Sequence, residues 1–170
     1  MKPEPIPIPA DLKEAALTTM NAAKFPMLAS MDGAQPRVRP VSPVRTDGFV
    51  VYVASLRSSH KTGELEANEL VELCYLSEGH DQVRITGTCE RVTDRAILQD
   101  IWDSNPLLRG FLRSIDNPEF ILYKVIRSSS FHAGMGTGLQ RRSVAKTALS
   151  HFFQAHRAAL IMRLSEPPAP

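Results

Sequence analysis

Short runs of alternating apolar and polar residues, separated by Asp-Gly pairs and prolines, set the pattern of this chain. In 82–92 the positions Val83, Ile85, Gly87, Cys89 and Arg91 alternate with Arg84, Thr86, Thr88, Glu90 and Val92. A period of two is that of a strand. The first set is mostly apolar and faces a core, so Arg84 points away from it, toward solvent or a partner. Five further runs read as strands: 25–31, 37–44, 49–54, 70–76 and 120–126. Asp32-Gly33 and Asp47-Gly48 are hairpin signals between them. Pro36, Pro40 and Pro43 exclude helix from the second run and suit an edge or bulged strand.

Helical patterns frame and interrupt the strands. Asp11, with Glu14 three residues on, resembles a capping box that opens a helix over 12–23, with Leu12, Ala15, Ala16 and Met20 on one face. A short helix is expected over 60–68. Asp94 caps another that carries Ile97, Leu98, Ile101 and Trp102, and Trp102 reads as a core residue. A second piece over 107–112 follows Pro106. A last helix over 143–163 carries Leu149, Phe152, Phe153, Leu160 and Ile161. The segment 131–138 is a glycine-rich loop, without the βαβ setting that a dinucleotide fingerprint needs. The expected organisation is an extended arm over 1–10, one domain over 11–142, a C-terminal helix over 143–166 on the barrel or a second subunit, and a tail over 167–170. The expected fold class is mainly β with flanking helices (α+β), a six-stranded antiparallel barrel. Closure removes exposed edges, and most strands lack the long crossovers that a parallel sheet requires.

Composition narrows the function. The 170 residues are 43% hydrophobic and 22% charged, as in one soluble globular domain. A net charge of +2, with Lys and Arg scattered, gives no reason to expect nucleic acid. No apolar run approaches the roughly 20 residues of a membrane span. The proline-broken N-terminus has no apolar leader core, so a cytoplasmic location is the default. Cys74 and Cys89 sit in strand runs with no Cys-x-x-C pair and read as small buried residues. His80 and Asp81 fall in a turn, and His151 and His156, five apart, read as surface. No Ser-His-Asp order, zinc-protease helix or P-loop is present.

One stretch carries chemistry. Ser58-Ser59-His60-Lys61 lies where the 49–54 strand gives way to a helix. Unpaired N–H groups at a helix start, two hydroxyls and a lysine suit a phosphate. The competing reading is plain: Ser59 as a helix cap and Lys61 as a solvated cation.

Three pieces together resemble the pyridoxamine 5′-phosphate oxidase-like FMN-binding split barrels, and the general-stress-protein-like branch more than the true oxidase. They are Asp32-Gly33 through Arg39-Pro40-Val41; Tyr52 through Ser59-His60-Lys61, with Leu65 and Asn68; and Gln82-Val83-Arg84-Ile85-Thr86-Gly87. The resemblance implies an FMN-dependent oxidoreductase acting on a small molecule, as a homodimer with cofactor sites at the subunit interface. It implies that Arg39, Lys61 and the serines meet the flavin phosphate. Pro40, Val41, Tyr52, Val53 and Ala54 would line the cofactor, with backbone groups of Val53 and Ala54 at the ring edge. Gln82 would approach from the other subunit, Arg84 on the same strand is a further cofactor-binding candidate, and His132 would face the ring or bind a haem iron. Reduced nicotinamide is a plausible donor that nothing in the sequence selects.

The chain also departs from the oxidase. Val44 stands where the oxidase has a lysine, His60 replaces the turn arginine, and Phe131-His132 replaces a Phe-Trp pair. Arg141-Arg142 only loosely echo the oxidase's late arginines. These differences imply a substrate other than pyridoxamine 5′-phosphate. They leave open a flavin- or haem-binding stress protein without turnover, or a deazaflavin reductase on the same barrel.

Overall fold

The structure, a computed structural model, describes residues 10–134, with side chains described to Ser128. The expected arm, last helix and tail lie outside the described residues.

Among the described residues, seven strands form one antiparallel sheet. Helix α1 (Ala10–Ala22) precedes β1 (Met27–Asp32), β2 (Gln35–Pro40), β3 (Pro43–Asp47) and β4 (Val50–Leu56). Helix α2 (His60–Ala67), β5 (Leu70–Leu76) and β6 (Gln82–Arg91) follow. Helices α3 (Arg95–Ser104) and α4 (Pro106–Leu112) lead into β7 (Phe120–Gly134). The strand order is β2-β1-β5-β6-β7-β4-β3.

The order explains why seven strands replace the six expected. The 37–44 run is two strands, β2 and β3, at opposite ends of the sheet. Only Val41 and Ser42 join them. So short a link spans about 10 Å at most, so the sheet curls until its ends meet. Pro40 and Pro43 lack the N–H groups that a continuous ladder needs. Val41 turns inward at the break, 7% exposed, and its N–H donates to the Pro26 carbonyl at 2.9 Å. The barrel is split where β2 and β3 diverge without pairing.

Two further expectations change. α1 begins at Ala10, so Asp11 lies inside the first turn rather than at the cap. There its charge still complements the helix dipole. β7 runs to Gly134, so residues 131–134 of the expected glycine-rich loop are strand, opposite Gln82 to Ile85 of β6.

The period-two reading of β6 holds: Val83, Ile85, Gly87 and Cys89 are buried, while Arg84 is exposed. Inside the barrel, Leu28, Val51, Val53, Leu73, Val83 and Ile85 pack together, with Ala16 and Met20 of α1. A second core lies outside β4 and β7. Trp102, Leu108 and Leu112 of α3 and α4 cover Phe120 and Leu122, with Tyr52, Ala54 and Val44 at its edge. The Trp102 and Phe120 rings lie 5.9 Å apart in a tilted pair. Asp94 caps α3, accepting from the Ala96 N–H at 2.8 Å.

Gly87 marks a close backbone approach. The β6–β7 register shifts between Ile85 and Gly87. A Cβ at Gly87 would stand 2.1 Å from the Ile126 carbonyl oxygen, and rigid backbone cannot yield cheaply there. Gly87→Ala should therefore destabilise the protein by about 2 kcal/mol or more. Thermal or denaturant unfolding measures this, and an unchanged midpoint would contradict the packing described.

Candidate functional site

The site is built where β1, β2 and the start of α2 meet. Side chains alternate along β2, so Val38 faces out and Arg39 faces the side shared with Leu28 of β1. Arg39 donates through Nη1 to the Leu28 carbonyl at 3.4 Å and to the Ser30 hydroxyl. Its Nη2 pairs with Oε2 of Glu64 on α2. That same oxygen accepts from the Ser30 hydroxyl at 2.5 Å. Glu64 is 9% exposed and Ser30 3%. Losing Arg39 leaves a buried carboxylate without its cation, which is costly. Arg39 is therefore a structural as well as a binding candidate.

Lys61 sits in the first turn of α2, half-buried. Burial pushes its ammonium below its ordinary value of 10.5; the neighbouring Arg39 charge pushes the same way, and Glu64 opposes both. Among the described residues Lys61 has no ion-pair partner. A desolvated lysine beside a second cation is unfavourable in isolation, and an anion would relieve it.

Hydroxyls gather at the same corner. Ser59 occupies the N-cap position of α2, yet its side chain makes no cap hydrogen bond. Its hydroxyl instead lies 2.9 Å from that of Ser55 and 3.1 Å from that of Thr62. Ser55 and Thr62 are 3.3 Å apart, and Thr62 donates to the Leu56 carbonyl at 2.8 Å. The buried Tyr123 hydroxyl faces Thr62 without a hydrogen bond among the described residues. Hydroxyls bonded mainly to one another turn readily toward a stronger acceptor. A cleft of about 270 Å³ lies between the Asp32-Gly33 turn and the His60, Gly63 and Glu64 side of α2.

The other sequence candidates are dispersed. Ser58 is exposed and committed elsewhere: its hydroxyl and N–H both donate to Glu119, at 2.5 and 3.1 Å. These two bonds hold the Glu119 carboxyl below its usual range. His60 is exposed at the cleft edge. Pro40 ends β2, and Val41 is buried in the link. Val53 faces the barrel core, whereas Tyr52 and Ala54 face α3 and α4. Gln82 and Arg84 lie on the outer face of β6. There Gln82 is 3.4 Å from the Cys74 sulfur and Arg84 pairs with Glu72. His132 lies opposite Arg84 in the β6–β7 ladder, and its side chain is outside those described.

Glu64, Ser30, Ser55 and Thr62 were not singled out in the sequence. Glu64 looks like an ordinary helix-surface acid there, and only the register of β1 against β2 reveals its partners.

A family model described as pyridoxamine 5′-phosphate oxidase matches residues 12–107, more than half of the chain. The chain belongs to the pyridoxamine 5′-phosphate oxidase family. Its fold is that family's split barrel: an antiparallel sheet with flanking helices. The matched stretch contains every described residue of the Arg39–Lys61 corner except Tyr123. Solved structures of low identity share the fold. A NimC/NimA family protein from Clostridium acetobutylicum is 20% identical with a TM-score of 0.63, over 76% of this chain and 89% of that one. General Stress Protein 26 from Bacillus anthracis is 21% identical with a TM-score of 0.62, over 76% and 98%. A heme binding protein from Mycobacterium smegmatis is 15% identical with a TM-score of 0.63, over 79% and 57%. No curated protein matches the chain. Among the described residues, no helix is long and apolar enough to cross a membrane.

The Lys61 reading gives a stability test. The folded lysine titrates below its unfolded value, so the unfolded chain binds more protons between the two. Stability should therefore rise with pH across the interval that ends near 10.5. Below that interval the charge is a net cost to the fold. In anion-free buffer near neutral pH, Lys61→Met should melt at a higher temperature than the wild type. A lower melting point would mean the ammonium is already satisfied within the protein.

Proposed function

We propose that the protein binds FMN and passes a hydride or electrons between that flavin and a small molecule, as a homodimer in the cytoplasm. The observation that carries this reading is Lys61, a half-buried cation beside Arg39, without an ion-pair partner among the described residues. It stands on the barrel of a family named for a phosphate-ester oxidase. The donors at this corner fit a phosphate ester. Lys61 offers an unspent charge, Arg39 a guanidinium already fixed in place, and Ser59 and Thr62 hydroxyls that can reorient. Such charge-assisted bonds contribute roughly 1.5–3 kcal/mol each.

When bound, the isoalloxazine supplies the hydride chemistry. The chain holds the phosphate, positions the ring and limits access to it. Gln82 and Arg39 lie on opposite faces of the sheet. Within one chain they do not reach the same ring, so Gln82 serves it only from a second protomer. The outer face that bears Gln82 also exposes Val38 (66%), Met27 (45%), Leu70 (62%) and Leu76 (59%). An apolar sheet face left open among the described residues fits self-association.

The purified protein should take up FMN and show an oxidised-flavin spectrum, and Lys61→Ala should weaken FMN binding about tenfold to a hundredfold. A Soret band in place of the flavin spectrum would favour haem. Failure to take up FMN would leave the deazaflavin alternative. Bleaching of the bound flavin by a reduced nicotinamide would separate an enzyme from a passive carrier. A separate outcome concerns pairing: Leu76→Glu should shift the protein from dimer to monomer by light scattering. An unaffected dimer would place the interface elsewhere.

A further inference from the structure

We infer that Glu64 sets how much negative charge the Arg39–Lys61 corner accepts, which makes it a specificity-determining residue of the anion site proposed there. This deepens the function proposed above and rests on it only for the identity of the ligand. Three charged groups meet at the corner: Arg39, Lys61 and Glu64. They sum to +1. Glu64 is 9% exposed, lines the cleft with His60 and Gly63, and takes both its hydrogen bonds through Oε2, from Ser30 and Arg39. Arg39 is thus held in position, and its charge is largely spent before a ligand arrives. A group bearing one negative charge balances the corner, whereas a dianionic phosphate ester binds with one charge left unmatched. In so desolvated a place the repulsion between Glu64 and a dianion is weakly screened.

Glutamine is nearly isosteric and still accepts from Ser30 and Arg39. With inorganic phosphate as the probe in titration calorimetry, Glu64→Gln should bind about tenfold more tightly than the wild type. FMN should tighten in parallel, and riboflavin, which lacks the phosphate, should not. Asp32→Asn is the control for removing any acid from the same cleft. Asp32 is exposed and paired with Arg37 at 2.9 Å, so its loss should change phosphate affinity far less.

Equal or weaker phosphate binding by Glu64→Gln would overturn the inference, as would an equal gain from Asp32→Asn. A measurement on the wild type covers a folding failure of Glu64→Gln. With its corner at +1, the wild type should bind dimethyl phosphate, a monoanion, at least as tightly as dianionic methyl phosphate at pH 8, and a clear preference for the dianion would show that Glu64 does not limit the charge accepted. If phosphate responds as expected but FMN binds no variant, the charge assignment stands and the flavin reading fails.

Discussion

The two-residue link between β2 and β3 is the constraint on which the rest of the architecture depends. It forces strands from opposite ends of the sheet order to end and begin within about 10 Å of each other. An antiparallel sheet that must meet itself curls, and its inner faces then enclose one core. The prolines that deny the segment a continuous ladder make the break possible. The buried Val41, anchored to the Pro26 carbonyl, fixes where it occurs.

The same closure creates the charged corner. Curling brings β2 across β1 toward α2, so that Arg39 meets Ser30 and Glu64 instead of solvent. Lys61 follows from the same helix start, one turn before Glu64. An exposed arginine–glutamate pair would contribute little, but here the partners are withdrawn from water and tied to a buried serine. Their geometry is therefore rigid, and rigidity is what an anion site requires of its donors. The unrelieved desolvation of Lys61 is the complementary sign: structure that is costly when empty is common where a ligand binds.

The two faces of the sheet divide the remaining work. Over β4 and β7 the outer face is covered by α3 and α4, with Trp102 against Phe120. Over β1, β5 and β6 no helix among the described residues covers it, and the apolar residues there share it with Gln82 and Arg84. A covered face supports the fold, whereas a bare one offers a surface to a partner. The alternation of β6 puts Ile85 into the core and Arg84 onto that surface within two consecutive residues.

The sequence by itself determined the strand periods, the hairpin turns at Gly33 and Gly48, the Asp94 cap, and the helix start that places Ser59 and Lys61 together. These are local: each follows from backbone geometry over a few residues, and each is present as expected. It did not determine that 37–44 is two strands, because a proline run excludes helix without saying which neighbours each half pairs with. Nor did it reveal Glu64 as Arg39's partner, or that Ser58 is bound to Glu119 while Ser55 and Thr62 join the corner. The Arg39–Glu64 and Ser58–Glu119 pairs join residues 25 and 61 positions apart. Local pattern carries no information about such pairs, and only the closure of the sheet decides them.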